Sequence, residues 1–125
     1  MIKVNNMQLA VAEDTLAKFI TAALPIDVAF SMKTLIKKYN PQLVAFKENR
    51  LQLFKEFGTY DAETQQYTIP EENQEVFNQR FEELGMAIVE IDCEPVKTKT
   101  TWLPSSMRMS PEELSVLEPF LILEQ

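Results

Sequence analysis

An α+β domain that is mostly α is the fold class this sequence predicts, and three observations carry it. Apolar residues recur at three-and-four spacing from Leu9 to Ala23 and again from Met32 to Phe57, which is the helical period. A third segment, "PEENQEVFNQRFEELG", opens on proline and acids and closes on Gly85, as helices do. By contrast, "MAIVEIDCEPV" alternates apolar and charged residues, the period of a half-buried strand. The expected architecture is a helical hairpin with a long kinked second helix, a further short helix and a small antiparallel β element. At 125 residues the chain has room for one core, so a single domain is expected, with the hairpin at about 6–57 and an acidic α/β part at about 58–125.

The first helix has Leu9, Ala12, Leu16, Phe19, Ile20 and Ala23 on one face, with Asn6 as its expected N-cap, and Pro25 either ends this run or opens the next one. The second runs from about Ile26 to Phe57 with a heptad-like stripe of Met32, Ile36, Tyr39, Leu43, Phe46, Leu53 and Phe57, and only Arg50 out of pattern. Pro41 interrupts it. Proline inside a helix costs about 3 kcal/mol, so either Asn40 caps a fresh helix or one helix is kinked there. The stripe keeps its phase across Pro41, which favours the continuous helix, and Gly58 suits the left-handed position beyond its end.

Residues 59–69 put Tyr60, Tyr67 and Ile69 around a polar middle, the pattern of a short hairpin or ordered loop. The third helix starts with Pro70 at its first position, places Glu71 and Glu72 at the positive end of the dipole, and aligns Phe77, Phe81 and Leu84. In the strand that follows, Val89, Ile91 and Cys93 face inward and Glu90, Asp92 and Glu94 outward, and Pro95 ends it or keeps it at an edge. "SPEEL" carries a capping box of Ser110 and Glu113 with Pro111 between, opening a final helix over about 111–118, and "PFLILEQ" adds an apolar strip.

Composition narrows the function classes. With no histidine, Ser-His-Asp and Cys-His nucleophiles and the HExxH zinc helix are excluded. Two glycines are too few for a phosphate-cradling loop. Cys93 is the single cysteine, so no intramolecular disulfide or multi-thiolate zinc site can form, and its place on the apolar side of the alternation gives it a packing role. No apolar run reaches the roughly 18 residues of a membrane span and no secretory leader is read at "MIKVNNMQLA", so an intracellular, non-enzymatic protein without cofactor is expected.

Charge is unevenly divided. Residues 1–57 hold eight Lys or Arg against five Asp or Glu, near +3, and residues 58–125 hold four against fourteen, near −10. Lys33, Lys37, Lys38, Lys47, Arg50 and Lys55 all fall on the long helix, without the exposed aromatics that a nucleic-acid surface interleaves, and the acidic half would repel phosphate. Direct nucleic-acid binding is therefore disfavoured, and the bland reading of these charges is a solvated helix surface.

Glu90, Asp92 and Glu94 admit three readings: a metal or acid/base site, a solvated sheet face, or an acidic surface that meets a basic partner. Side chains two apart on a strand stand about 7 Å apart, too far to converge unaided on one ion. The candidate partner-binding residues are thus Glu90, Asp92, Glu94, Glu82, Glu83 and Trp102, the last as an interface anchor or as a core ring. No metal-ligating or catalytic residue is assigned.

In their order, "AALP", "FKENRLQLFKEFG", a short Tyr-Asp segment, "EENQEVFNQRFEELG", "VEIDCEPV" and "LSVLEPFL" resemble an uncharacterised family of small proteins from phages and prophages of Gram-positive bacteria. Pro41 departs from that pattern. The resemblance covers most of the chain, implies a binding role in the cytoplasm of a bacterial host, and carries no site residues. The expected function is a phage accessory protein that binds another protein through its acidic half, such as a nucleic-acid-binding host or defence factor. A virion tail or neck assembly component, which would form a homo-oligomer, is the alternative; a small metal-dependent enzyme is the distant one.

Overall fold

A computed structural model describes residues 1–124. Its elements are β1 (Ile2–Asn5), α1 (Asn6–Ile20), α2 (Ile26–Phe57), β2 (Thr59–Asp61), β3 (Gln66–Thr68), α3 (Glu71–Met86), β4 (Ile88–Ile91), β5 (Val96–Lys99), a single 3₁₀ turn (Thr100–Trp102), α4 (Pro111–Leu117) and β6 (Leu121–Glu124). The mostly α, α+β class expected from the sequence is what forms.

The hairpin of α1 and α2 is antiparallel: Phe19 and Met32 line one hollow beside the connection, and farther along the Tyr39 hydroxyl donates to the Leu9 carbonyl. Helix α2 is continuous through Pro41 for 32 residues. Two features accommodate the proline. Pro41 is exposed, and so is Lys37, whose carbonyl loses its helical donor at a solvent-facing position. The expected stripe is inward: Met32, Tyr39, Leu43 and Phe46 are buried, joined by Val28 and Leu35. All of these but Phe46 close a main core with Leu9, Leu16 and Phe19 of α1 and with Ile91, Val96 and Phe120, the Phe120 ring standing edge-on to Tyr39 at 5.8 Å.

A second, aromatic cluster sits at the far end of α2. Phe54 lies 5.2 Å from Phe77 and 5.9 Å from Tyr67, and Phe81 lies 5.7 Å from Phe77. These rings fix α3 and the β2–β3 hairpin onto the helix, as the shared face of Phe77, Phe81 and Leu84 predicts. Asn73 secures the junction by donating to the Phe57 carbonyl at 3.0 Å.

Three small sheets complete the molecule: β1 with β4 and β2 with β3, both antiparallel, and β5 with β6, parallel. The parallel pair needs the crossover that α4 supplies. Ser110 and Glu113 form the expected capping box of α4.

Five local readings need correction. The N-cap of α1 is Asn5, whose side chain accepts from the Gln8 N–H while Gln8 accepts from the Asn5 N–H; Asn6 is buried inside the helix and donates to the Leu84 carbonyl. Gly58 is extended, with φ −110°, and its need for glycine is steric: a Cβ there would meet the Phe54 carbonyl at 2.7 Å. Pro70 is the N-cap of α3, not its first residue. Gly85 does not stop α3 but lies within it, buried where a Cβ would come 2.7 Å from Met7 Cγ, so it lets α3 approach the first turn of α1. Finally, β4 ends at Ile91, because Cys93 donates back to the Ile91 carbonyl in a bend at 2.8 Å; Asp92 and Glu94 lie past the strand.

Candidate interaction surfaces

The three carboxylates after α3 are held apart, each by a different cation. Glu90 faces Lys3 across the β1–β4 pair at 3.6 Å, Asp92 reaches Lys38 of α2 at 3.7 Å, and Glu94 contacts the Met1 amino group at 2.7 Å. The hydrogen bond from that amine, with its charge, holds the Glu94 carboxyl below the usual carboxylate range. Among the described residues no three Cys, Asp or Glu side chains gather closely enough to hold a metal ion. Cys93 between them packs against the main core, and burial pushes its thiol up against the pull of the Lys38 ammonium.

Helix α3 behaves differently. Glu71, Glu72, Glu75, Glu82 and Glu83 are all exposed, and among the described residues none has a cation within ion-pairing distance. Its one basic residue, Arg80, is a turn before Glu83 on the same side. The cause is the aromatic seam: Phe77 and Phe81 turn one face of α3 onto α2, and the glutamates are left facing water. Five of the ten carboxylates in residues 58–124 that lack an ion-pair partner are there.

Trp102 stands apart from these acids in sequence and in element. It closes the 3₁₀ turn after β5, remains 40% exposed, and has the Lys99 ammonium over its ring at 5.1 Å. It is thus a partly open ring with its own cation and no member of the buried core. The six sequence-designated residues therefore occupy three settings: carboxylates paired within the chain around β4, unpaired glutamates on α3, and a cation-capped tryptophan.

One surface was not designated from the sequence. At the elbow between α1 and α2, Phe19, Ile20, Leu24, Met32 and Ile36 line a hollow of about 310 Å³, with Lys33 at its edge. A smaller hollow of about 200 Å³ adjoins it under Ile26 and Phe30 and shares Leu24 and Lys33. The signal was present in the sequence, since Ile26 and Phe30 are large apolar residues that fall off the inward stripe.

Compared with protein-family profiles, with curated proteins and with solved structures, the chain matches none.

Proposed function

We propose that this chain is a non-enzymatic, protein-binding protein that presents its acidic half to the basic surface of a partner. The observation that carries the reading is the contrast between the two acidic groups: the β4 carboxylates have cations of their own chain, and the five α3 glutamates have none. Unpaired surface charge steers and orients a partner of opposite sign. Glu82 and Glu83 belong to the contact, with Glu90, Asp92 and Glu94 beside it as a weaker, internally neutralised border and Trp102 as a separate apolar anchor. The resemblance to small phage and prophage proteins supports a setting in an infected bacterium, with a nucleic-acid-binding host or defence factor as the partner class.

The test is affinity capture from infected cells, followed by binding of the purified partner to two variants. One carries Gln at Glu71, Glu72, Glu75, Glu82 and Glu83, the other Gln at Glu90, Asp92 and Glu94. The reading expects the first to lose binding and the second to keep most of it, with parental affinity falling as salt rises from about 0.05 to about 0.5 M. Unchanged binding by the α3 variant would overturn it. Incorporation of the chain into purified virions, with no soluble partner, would favour the assembly reading instead.

A further inference from the structure

The five most exposed large apolar residues of the described chain are Ile26 (77%), Ile88 (70%), Phe30 (64%), Ile20 (60%) and Met86 (60%), and they fall into only two patches. Ile20, Ile26 and Phe30 rim the elbow hollows. Met86 and Ile88 sit together where α3 passes into β4. Each patch adjoins unpaired charge on its own helix, mainly basic on α2, where the exposed Asp27 lies between Ile26 and Phe30, and mainly acidic on α3, where Arg80 lies one turn before Glu83. On α2, Lys33 and Lys37 follow Phe30 by three and seven residues, on the same helical side, and neither has a carboxylate within ion-pairing distance. On α3, Glu83 and Glu82 precede Met86 by three and four residues, again on one side and again unpaired.

We infer that the occupant of the elbow is a second copy of this chain, docking Met86 and Ile88 into the hollow so that its Glu82 and Glu83 meet Lys33 and Lys37. The spacing matches. Three helical residues span about 4.5 Å, so the step from Phe30 to Lys33 equals the step from Met86 back to Glu83 when the two helices run antiparallel. Apolar surface leaves water at the centre of the contact while the ion pairs lie at its edge, the usual division of an interface. Because the two patches are different surfaces of one chain, the contact is heterologous: a bound pair keeps one free elbow on one copy and one free acidic patch on the other, and assembly proceeds head to tail into a ring or filament.

This inference concerns the purified chain alone and does not rest on a foreign partner, so the two proposals fail separately. The test is sedimentation of the parent chain and of single, mixed and double variants up to about 1 mM, the weak end of the affinity scale. The parent chain self-associates with rising concentration, and less so in high salt. Phe30→Glu and Ile88→Glu, both at exposed positions where folding is spared, are each monomeric alone; mixed, they form a 1:1 heterodimer, since each retains the face the other has lost. Lys33→Glu and Glu83→Lys each weaken association, and the two together in one chain restore it. A parent chain that stays monomeric throughout would overturn the inference. So would a mixture of the two Glu variants that fails to pair, because an isologous contact or a foreign occupant of the elbow gives that result.

Discussion

Replacing Pro41 with alanine should stabilise the protein by about 2 kcal/mol. Pro41 lies at the middle of the 32-residue α2, with regular helix on both sides. In a helix interior proline is about 3 kcal/mol less favourable than alanine, because it lacks the N–H and crowds the carbonyl one turn back, here that of Lys37. Alanine gives up part of that gain, since the unfolded chain becomes freer by roughly 0.4–1 kcal/mol. Packing changes little, because the ring of Pro41 is exposed. The assay is urea unfolding of parent and variant. With a slope of about 1–3 kcal/mol per molar for a small protein, the midpoint should rise by roughly 1 M at unchanged slope. A gain below about 0.5 kcal/mol would refute the reasoning, since surface substitutions free of helical strain fall within that range. It would mean that the chain is relaxed at residue 40 and that Asn40 caps a separate helix.

Phe46→Ala should cost about 3–5 kcal/mol, because the ring is only 2% exposed and lies under the Arg50 guanidinium at 5.4 Å; a loss below about 1 kcal/mol would place it at the surface. Burial, aided by the charges of Glu13 and Asp14, raises the Tyr39 phenol above its ordinary 10.0, so the stability it confers is complete below pH 10.0 and is lost as pH climbs through the raised value. Tyr39→Phe should therefore lose about 1 kcal/mol at neutral pH with the bond to Leu9, yet flatten the alkaline limb of the unfolding curve; an alkaline limb as steep as the parent's would count against this. Replacing Glu90, Asp92 and Glu94 together by Gln should lower the urea midpoint slightly, since each has a cation within 4.0 Å, whereas relief of like-charge repulsion alone predicts a rise. A rise would show that the pairs with Lys3, Lys38 and the amino terminus contribute nothing.

The helices were legible because their information is local. The stripe from Met32 to Phe46 has one period, and it names the buried face even across Pro41. Ser110, Pro111 and Glu113 specify the start of α4 within four residues. The strand pairs were harder, because β1 finds β4 across more than eighty residues and β5 finds β6 across a helix, and no four-residue strand carries the identity of its partner. That is why "IKVN" was missed as a strand and why the alternation after Gly85 was extended too far. Alternation in "VEIDCEP" describes residue types, but the bend from Ile91 to Cys93 takes Asp92 and Glu94 off the ladder. For the surfaces, the sequence located the acidic charge but not its division. Only the fold sets Lys3, Lys38 and the amino terminus beside the β4 acids and leaves the α3 glutamates without an ion-pair partner.

The same packing that stabilises the chain keeps its charges apart. The basic helix α2 and the acidic helix α3 are direct neighbours, and in a looser contact their lysines and glutamates would pair within the molecule. Rings occupy the seam instead: Phe54 meets Phe77 and Phe81, and Phe57 meets Phe77 at 6.4 Å. Glu82 and Glu83 are turned outward by that contact, while Lys33 and Lys37 lie toward the other end of α2, beside the elbow. The molecule thus carries two complementary faces that it cannot satisfy by itself. Glu82 and Glu83 serve both proposed contacts, so a basic partner on α3 and the elbow of a second copy compete for the same carboxylates. Adding the captured partner to the self-associated chain should therefore lower its sedimentation coefficient toward that of a one-to-one complex. Co-sedimentation of partner with an undiminished assembly would show that the two contacts use different acids, and Glu71, Glu72 and Glu75 at the start of α3 would be left as the partner's site.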